Sequence, residues 1–176
     1  MFYRSENTIS VSRKERSFEI FDEENNIHWA KKLEKAGCHV IYGLAGLKTH
    51  CKICLFVRKE SDGIRRYLHM ATGNYNDSTA RFYTDIGMFT CREEFGVDAS
   101  SLFNVITGYS LPPEYHKFVV APTGMRSFFE DKIKKEIENH NAGLPSGIVA
   151  KVNSLVDPSI INLLYSASRA GVKITL

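Results

Sequence analysis

Two strand-like runs, residues 49–58 and 64–72, are joined by Lys59-Glu60-Ser61-Asp62-Gly63, and this junction constrains the chain more than any other feature. An Asp-Gly pair between such runs is a hairpin signal, so the two are expected to pair as antiparallel strands. Side chains then alternate between the two faces. His50, Lys52 and Cys54 share one face, and Cys51, Ile53 and Leu55 share the other.

The flanking patterns fill in an α/β chain. Residues 22–36 read as a helix capped by Asp22, with acidic residues at its start, Lys31, Lys32 and Lys35 toward its end, and Gly37 as its stop. Ile27, Ala30 and Leu33 supply its apolar stripe, and residues 38–42 follow as a buried strand. After the hairpin come a Gly-Asn loop at 73–76, a capped turn at 77–81, a strand at 83–90 and a helix at 100–107. Residues 108–113 hold a Gly, a Ser and two prolines and read as a linker. Beyond it the pattern restarts with a strand at 117–121 and a helix at 125–140, striped by Met125, Phe128, Phe129, Ile133 and Ile137. A strand at 148–152 and a helix opened by Asp157-Pro158 and ended by Gly171 come next, then a strand at 172–176. Residues 1–20 show no clean period and read as an atypical leader, and no internal repeat is visible.

Composition narrows the function classes. A chain of 176 residues, 43% hydrophobic and 24% charged, can bury a core, which excludes intrinsic disorder. No apolar run approaches the ~18 residues of a membrane span, and no signal-peptide stretch opens the chain. Cysteines at 38, 51, 54 and 91 are too few and scattered for a disulfide framework, so a reducing, cytoplasmic compartment is expected. Charge is uneven: residues 48–85 hold seven basic and four acidic side chains and so carry the whole net +3. That local field suits an anionic ligand, or a plain solvated basic face.

Within that window the chemistry gathers. A neutral imidazole nitrogen at His50 can accept a phosphoryl group without first losing a proton, and Lys52 can hold phosphoryl oxygens. A His-x-Lys pair alone is a weak signal, since most histidines are ordinary surface or core residues. Cys51-x-x-Cys54 matches a redox or zinc spacing in form, but alternation sends the sulfurs to opposite faces and no second pair exists, so both read as core thiols. Thr72-Gly73-Asn74-Tyr75-Asn76 offers close backbone approach and amide donors, which suit a phosphate or a turn equally. It is neither a Walker loop nor a dinucleotide fingerprint. Arg81, Tyr83 and Asp85, spaced by two, would share a strand face, with Tyr83 stacking a base and Arg81 near its phosphates, or Tyr83 and Arg81 would be a packing pair. The other five histidines read as structural.

Together these residues resemble a known family. Phe21-Asp22-Glu23-Glu24-Asn25-Asn26-Ile27, Gly46-Leu47-Lys48-Thr49-His50-Cys51-Lys52, Thr72-Gly73-Asn74-Tyr75-Asn76 and Thr79-Ala80-Arg81-Phe82-Tyr83-Thr84-Asp85 are similar, in order, to the bacterial polyphosphate kinases that work through a phosphohistidine. Gly143-Leu144-Pro145-Ser146-Gly147 and Leu155-Val156-Asp157 look like later signatures of that family. The resemblance implies a phospholipase D-like α/β sandwich with a mixed sheet over residues 21–110, followed at 115–176 by the first part of a second similar domain. It implies transfer of the ATP γ-phosphate to polyphosphate through His50, with Lys52 as a phosphate contact and Tyr83 lining the nucleotide site. Arg66, Asn74, Arg81 and Asp85 are further candidates for nucleotide or phosphate binding.

ATP and Mg²⁺ are the cofactors implied, and ATP, ADP and polyphosphate the partners, with no specific nucleic acid. A homo-oligomeric longer protein is implied too, cytoplasmic or peripheral at a membrane. Three departures stand out. The family arginine before Phe-Asp-Glu is replaced by Ile20, so no metal residue is assigned here; residues 1–20 differ from the family; and the phospholipase D aspartate five residues after Lys52 is Val57. The second catalytic histidine is expected beyond Leu176, so the isolated chain is expected to be inactive as a fragment. The rival readings are a phospholipase D-like phosphodiesterase and a non-catalytic polyanion-binding module.

Overall fold

The computed structural model describes residues 8–10, 20–42, 46–47, 49–108, 111 and 114–176, with side chains from residue 27 onward. The chain divides into two compact units, Met1–Phe118 and Val119–Leu176. Parallel and antiparallel pairing both occur, in separate sheets.

In the first unit, β1 (Thr8–Ser10) runs parallel to β2 (His39–Ile41), with Thr8 opposite His39. Residues 8–10 therefore enter a ladder although the opening sequence lacks a clean period, because a three-residue strand is too short to leave one. Helix α1 (Ile20–Lys35) connects the two strands, so Asp22 lies inside the helix and not at its cap. Its end is closed by Gly37, whose φ of +83° lets the Cys38 N–H reach back to the Leu33 carbonyl at 2.9 Å.

The hairpin forms, but Ser61-Asp62 makes its turn: Glu60 pairs with Gly63, so Gly63 opens the second strand. β3 (Lys52–Glu60) pairs antiparallel with β4 (Gly63–Ala71), from Lys52 opposite Ala71 to Glu60 opposite Gly63. β5 (Gly87–Thr90) adds to the other edge of β4. The strand expected at 83–90 thus begins only at Gly87. Residues 79–81 make a single 3-10 turn, because the Asn76 side chain accepts the Thr79 N–H at 2.9 Å and holds the chain in a turn. Helix α2 (Glu93–Ile106) packs on β4 and β3. It starts seven residues before the expected 100, since Asp98 interrupts the stripe formed by Phe95, Ala99, Leu102 and Ile106. Leu68, Ala99, Leu102 and Ile106 are buried beneath it. Residues 117–121 are not a strand: the N–H groups of Lys117 and Phe118 go to the Asp98 carboxylate.

The second unit contains α3 (Met125–Asn141), β6 (Ile148–Val149), α4 (Pro158–Ala170) and β7 (Ile174–Thr175). β6 and β7 are parallel, and both strands are shorter than expected. Asp157 caps α4, its Oδ1 accepting from Ser159 N at 2.9 Å and Ile160 N at 3.1 Å. Ile133, Ala167 and Val172 form the core with Ile137, Ile148, Ile160, Leu163, Leu164 and Ile174. Of the expected α3 stripe, Ile133 and Ile137 enter this core, whereas Met125, Phe128 and Phe129 stay exposed at the start of the helix.

Candidate functional site

Strand register decides what meets what. Directly opposed residues share a sheet face, so Lys52, Cys54, Ala71, His69, Gly87 and Phe89 lie on one side. The other side carries Leu55, Arg66 and Leu68 and is covered by α2. His50 precedes β3 and is not part of its ladder, yet its ring still meets Lys52. The Lys52 ammonium lies 3.2 Å from His50 Nδ1 and 3.1 Å from Nε2, and it donates to the His50 carbonyl at 2.8 Å. A cation within hydrogen-bond distance of both ring nitrogens is placed to hold the oxygens of a phosphoryl group bound at that ring. His50 is exposed, which leaves the ring open to a substrate.

The loop 73–85 is closed at its base. Thr72 N–H donates to the Ile86 carbonyl at 3.0 Å, and Thr72 Oγ1 donates to Asp85 Oδ1 at 3.0 Å while accepting from Ile86 N at 3.1 Å. Gly73 makes room for it: a Cβ at that position would overlap the Asp85 carboxylate. Tyr75 Oη lies 2.7 Å from His69 Nδ1, and the His69 ring packs on Phe89 with centroids 4.3 Å apart. Gly87 makes room for that imidazole, since a Cβ there would sit 3.0 Å from Nε2. The Tyr75 phenol is pushed up by burial first, then by the thiols of Cys54 and Cys51, which places the loop against the start of β3.

The expected residues therefore separate into groups. His50 and Lys52 are brought together. Arg81 ends the 3-10 turn and Tyr83 lies in the extended stretch before β5, both exposed, whereas Asp85 turns to Thr72 and Gly73. Strand alternation does not align these three, because 82–86 is not a strand. Asn74 is exposed at the bend of the loop. Arg66 sits on the opposite face from Lys52. Its Nε donates to Ser100 Oγ at 3.1 Å, and its stem lies against Gly96 of α2, so it is not brought to the His50 side. The cysteines also depart from the expectation of core thiols. All four are free, Cys51 is exposed and Cys54 half-buried, and burial raises both pKa values, for Cys51 against the lowering effect of its backbone and Lys52. Gly43, Ala45 and Lys48 lie outside the described residues.

His69, read from the sequence as structural, packs on Phe89 within the sheet and meets Tyr75 of the loop. The observed register sets His69 opposite Cys54 on the Lys52 face. Among the described residues no three His, Cys, Asp or Glu side chains converge to hold a metal ion. No described helix is long and apolar enough to cross a membrane.

The chain is similar to known proteins over nearly its whole length. A family model for polyphosphate kinase C-terminal domain 1 matches residues 15–112, and one for polyphosphate kinase C-terminal domain 2 matches residues 118–176. A polyphosphate kinase of Lactiplantibacillus plantarum is 58% identical over 169 residues, which cover 96% of this chain and 23% of that protein. The aligned stretch therefore extends into residues 1–20. A polyphosphate kinase of Thermosynechococcus vestitus is 55% identical over 156 residues, covering 89% of this chain and 21% of its own length. The crystal structure of polyphosphate kinase from Porphyromonas gingivalis superposes with a TM-score of 0.77 at 32% identity, over 95% of this chain and 27% of that one. The chain spans about a quarter of the length of these relatives.

Proposed function

This chain belongs to the polyphosphate kinase family, and on that premise we propose that it carries the phosphoryl-accepting site of a kinase acting on ATP and polyphosphate. One imidazole nitrogen of His50 attacks the γ-phosphorus of ATP; the N–P bond forms, the bond to the bridging oxygen breaks, and ADP leaves with the electron pair. A terminal oxygen of polyphosphate then attacks the same phosphorus and breaks the N–P bond, so the chain grows by one unit and His50 is regenerated. Both steps run in reverse. Little covalent work falls to the protein in such transfers, and charge placement supplies most of the rate. The observation that carries this reading is the Lys52 ammonium, 3.1 Å and 3.2 Å from the two nitrogens of an exposed imidazole.

In the same reading, Tyr83 stacks the base, and Arg81 and Asn74 contact phosphates from the loop. Asp85 holds that loop through Thr72. Mg²⁺ would arrive on the phosphates of ATP.

The test is chemical. With ATP and Mg²⁺, this segment within the longer kinase should acquire an acid-labile, alkali-stable phosphoryl group on His50, located by mass spectrometry under alkaline handling. His50→Gln should abolish it, and Lys52→Ala should slow its formation without relocating it. Label on His39 or His69, or label persisting in His50→Gln, would refute the assignment.

A further inference from the structure

Residues 113–117 fall between the two family models, where an unrestrained tether is the plain expectation. The structure fastens residues 115–117 instead. Asp98 of α2 is 1% exposed, and its carboxylate accepts from three consecutive backbone N–H groups. His116 N donates to Oδ1 at 3.0 Å, Lys117 N to Oδ2 at 2.6 Å and Phe118 N to Oδ2 at 2.9 Å. Successive amides turned to one side form a nest for an anion, and a buried carboxylate is tolerated only where its oxygens are met in this way.

Side chains dock alongside. The Tyr115 ring stacks on Phe118 with centroids 6.2 Å apart, Phe118 meets Phe95 of α2 edge-on at 6.3 Å, and the Lys117 ammonium lies 3.5 Å from Glu94. None of residues 114–118 belongs to a helix or strand, so no ladder accounts for these bonds.

We propose that residues 114–118 are a strap anchored by the Asp98 carboxylate, which fastens the connector between the two family segments to α2 and fixes where the chain leaves the first unit. The charged form is the one the nest selects. Burial alone would raise the Asp98 pKa, but the three N–H bonds, with the His116 imidazole nearby, more than offset it and hold it below the ordinary carboxylate value. An asparagine could not replace this anchor. If its single oxygen serves Lys117 and Phe118, its NH₂ group is turned against the His116 N–H, donor against donor.

Hydrogen–deuterium exchange on the 176-residue chain at neutral pH tests the strap without reference to any activity. In the unaltered chain the amides of His116, Lys117 and Phe118 should exchange roughly 100-fold or more slowly than unstructured peptide. Asp98→Asn should speed them about tenfold or more while the β3–β4 amides change by less than about twofold. Phe118→Ala, which keeps the carboxylate, should leave His116 and Lys117 protected. Unprotected amides in the unaltered chain would overturn the proposal. So would an unchanged rate in Asp98→Asn, or a loss of protection in Phe118→Ala as large as in Asp98→Asn.

Discussion

Gly73→Ala tests the closure of the loop that carries Asn74, Arg81 and Tyr83. The φ of Gly73 is outside the left-handed region, so an added methyl costs no backbone strain. On backbone grounds alone, Gly→Ala at such a position stabilises by ~0.4–1 kcal/mol through the unfolded chain. The structure predicts the opposite sign, because the new Cβ would overlap the Asp85 carboxylate. Asp85 must swing away, breaking its 3.0 Å bond from Thr72 Oγ1. A hydrogen bond to a charged group contributes ~1.5–3 kcal/mol, and the lower end applies at this exposed position. Set against the backbone gain, the net loss is about 1 kcal/mol, a fall of several degrees in Tm for a unit of this size. Thr72→Val removes the same bond from its other end. Thermal unfolding of the two single variants and the double variant should then show a coupling of about 1 kcal/mol, with the second change costing little after the first. Losses that add to within ~0.5 kcal/mol, or a Gly73→Ala chain as stable as the parent, would refute the closure.

Two further expectations concern stability. Asp157→Ala removes the acceptor for Ser159 N and Ile160 N and the partner of Arg126 Nη2 at 3.2 Å, and should cost the second unit ~1–2 kcal/mol by denaturant titration, with Asp157→Asn closer to the parent. Asp98 binds a proton less readily in the folded chain than in the unfolded one, so its contribution is complete above about pH 5 and falls away as the pH drops through its depressed folded value. Asp98→Asn should flatten the acid limb of stability below about pH 4, and an unaltered limb would count against the nest.

What could be read from the chain alone depends on how local its determinants are. Residues 59–63 mark a turn, so the hairpin was legible from five residues; its register was not, because a turn centred on Asp62-Gly63 would set Ser61 opposite Ile64, whereas Glu60 opposes Gly63. Asp157-Pro158 and Gly171 mark both ends of α4 for similarly local reasons, a cap and a left-handed stop at φ +103°. The start of α2 was not legible, because a buried aspartate in an apolar stripe looks like an interruption until its three donors are known. Those donors lie 18 to 20 residues downstream, and the same fact removed the expected strand at 117–121.

The site divides along the same line. The His50–Lys52 pairing survives although His50 lies outside the strand, because a lysine two residues away can reach an imidazole whether or not the intervening backbone is extended. Arg81, Tyr83 and Asp85 fared differently. Their assumed common face needed a continuous ladder, and the ladder stops where Asn76 folds a turn and Thr72 takes hold of Asp85, 13 residues away. Arg66 shows the converse: its charge fits a phosphate, but register sends it to the face that α2 covers, where Gly96 and Ser100 receive it. Charge in the 48–85 window therefore marks the region of the site without marking its members. Alternation along the paired strands separates those on the Lys52 face from those that support the sheet behind it, and a two-residue shift of register leaves that separation unchanged.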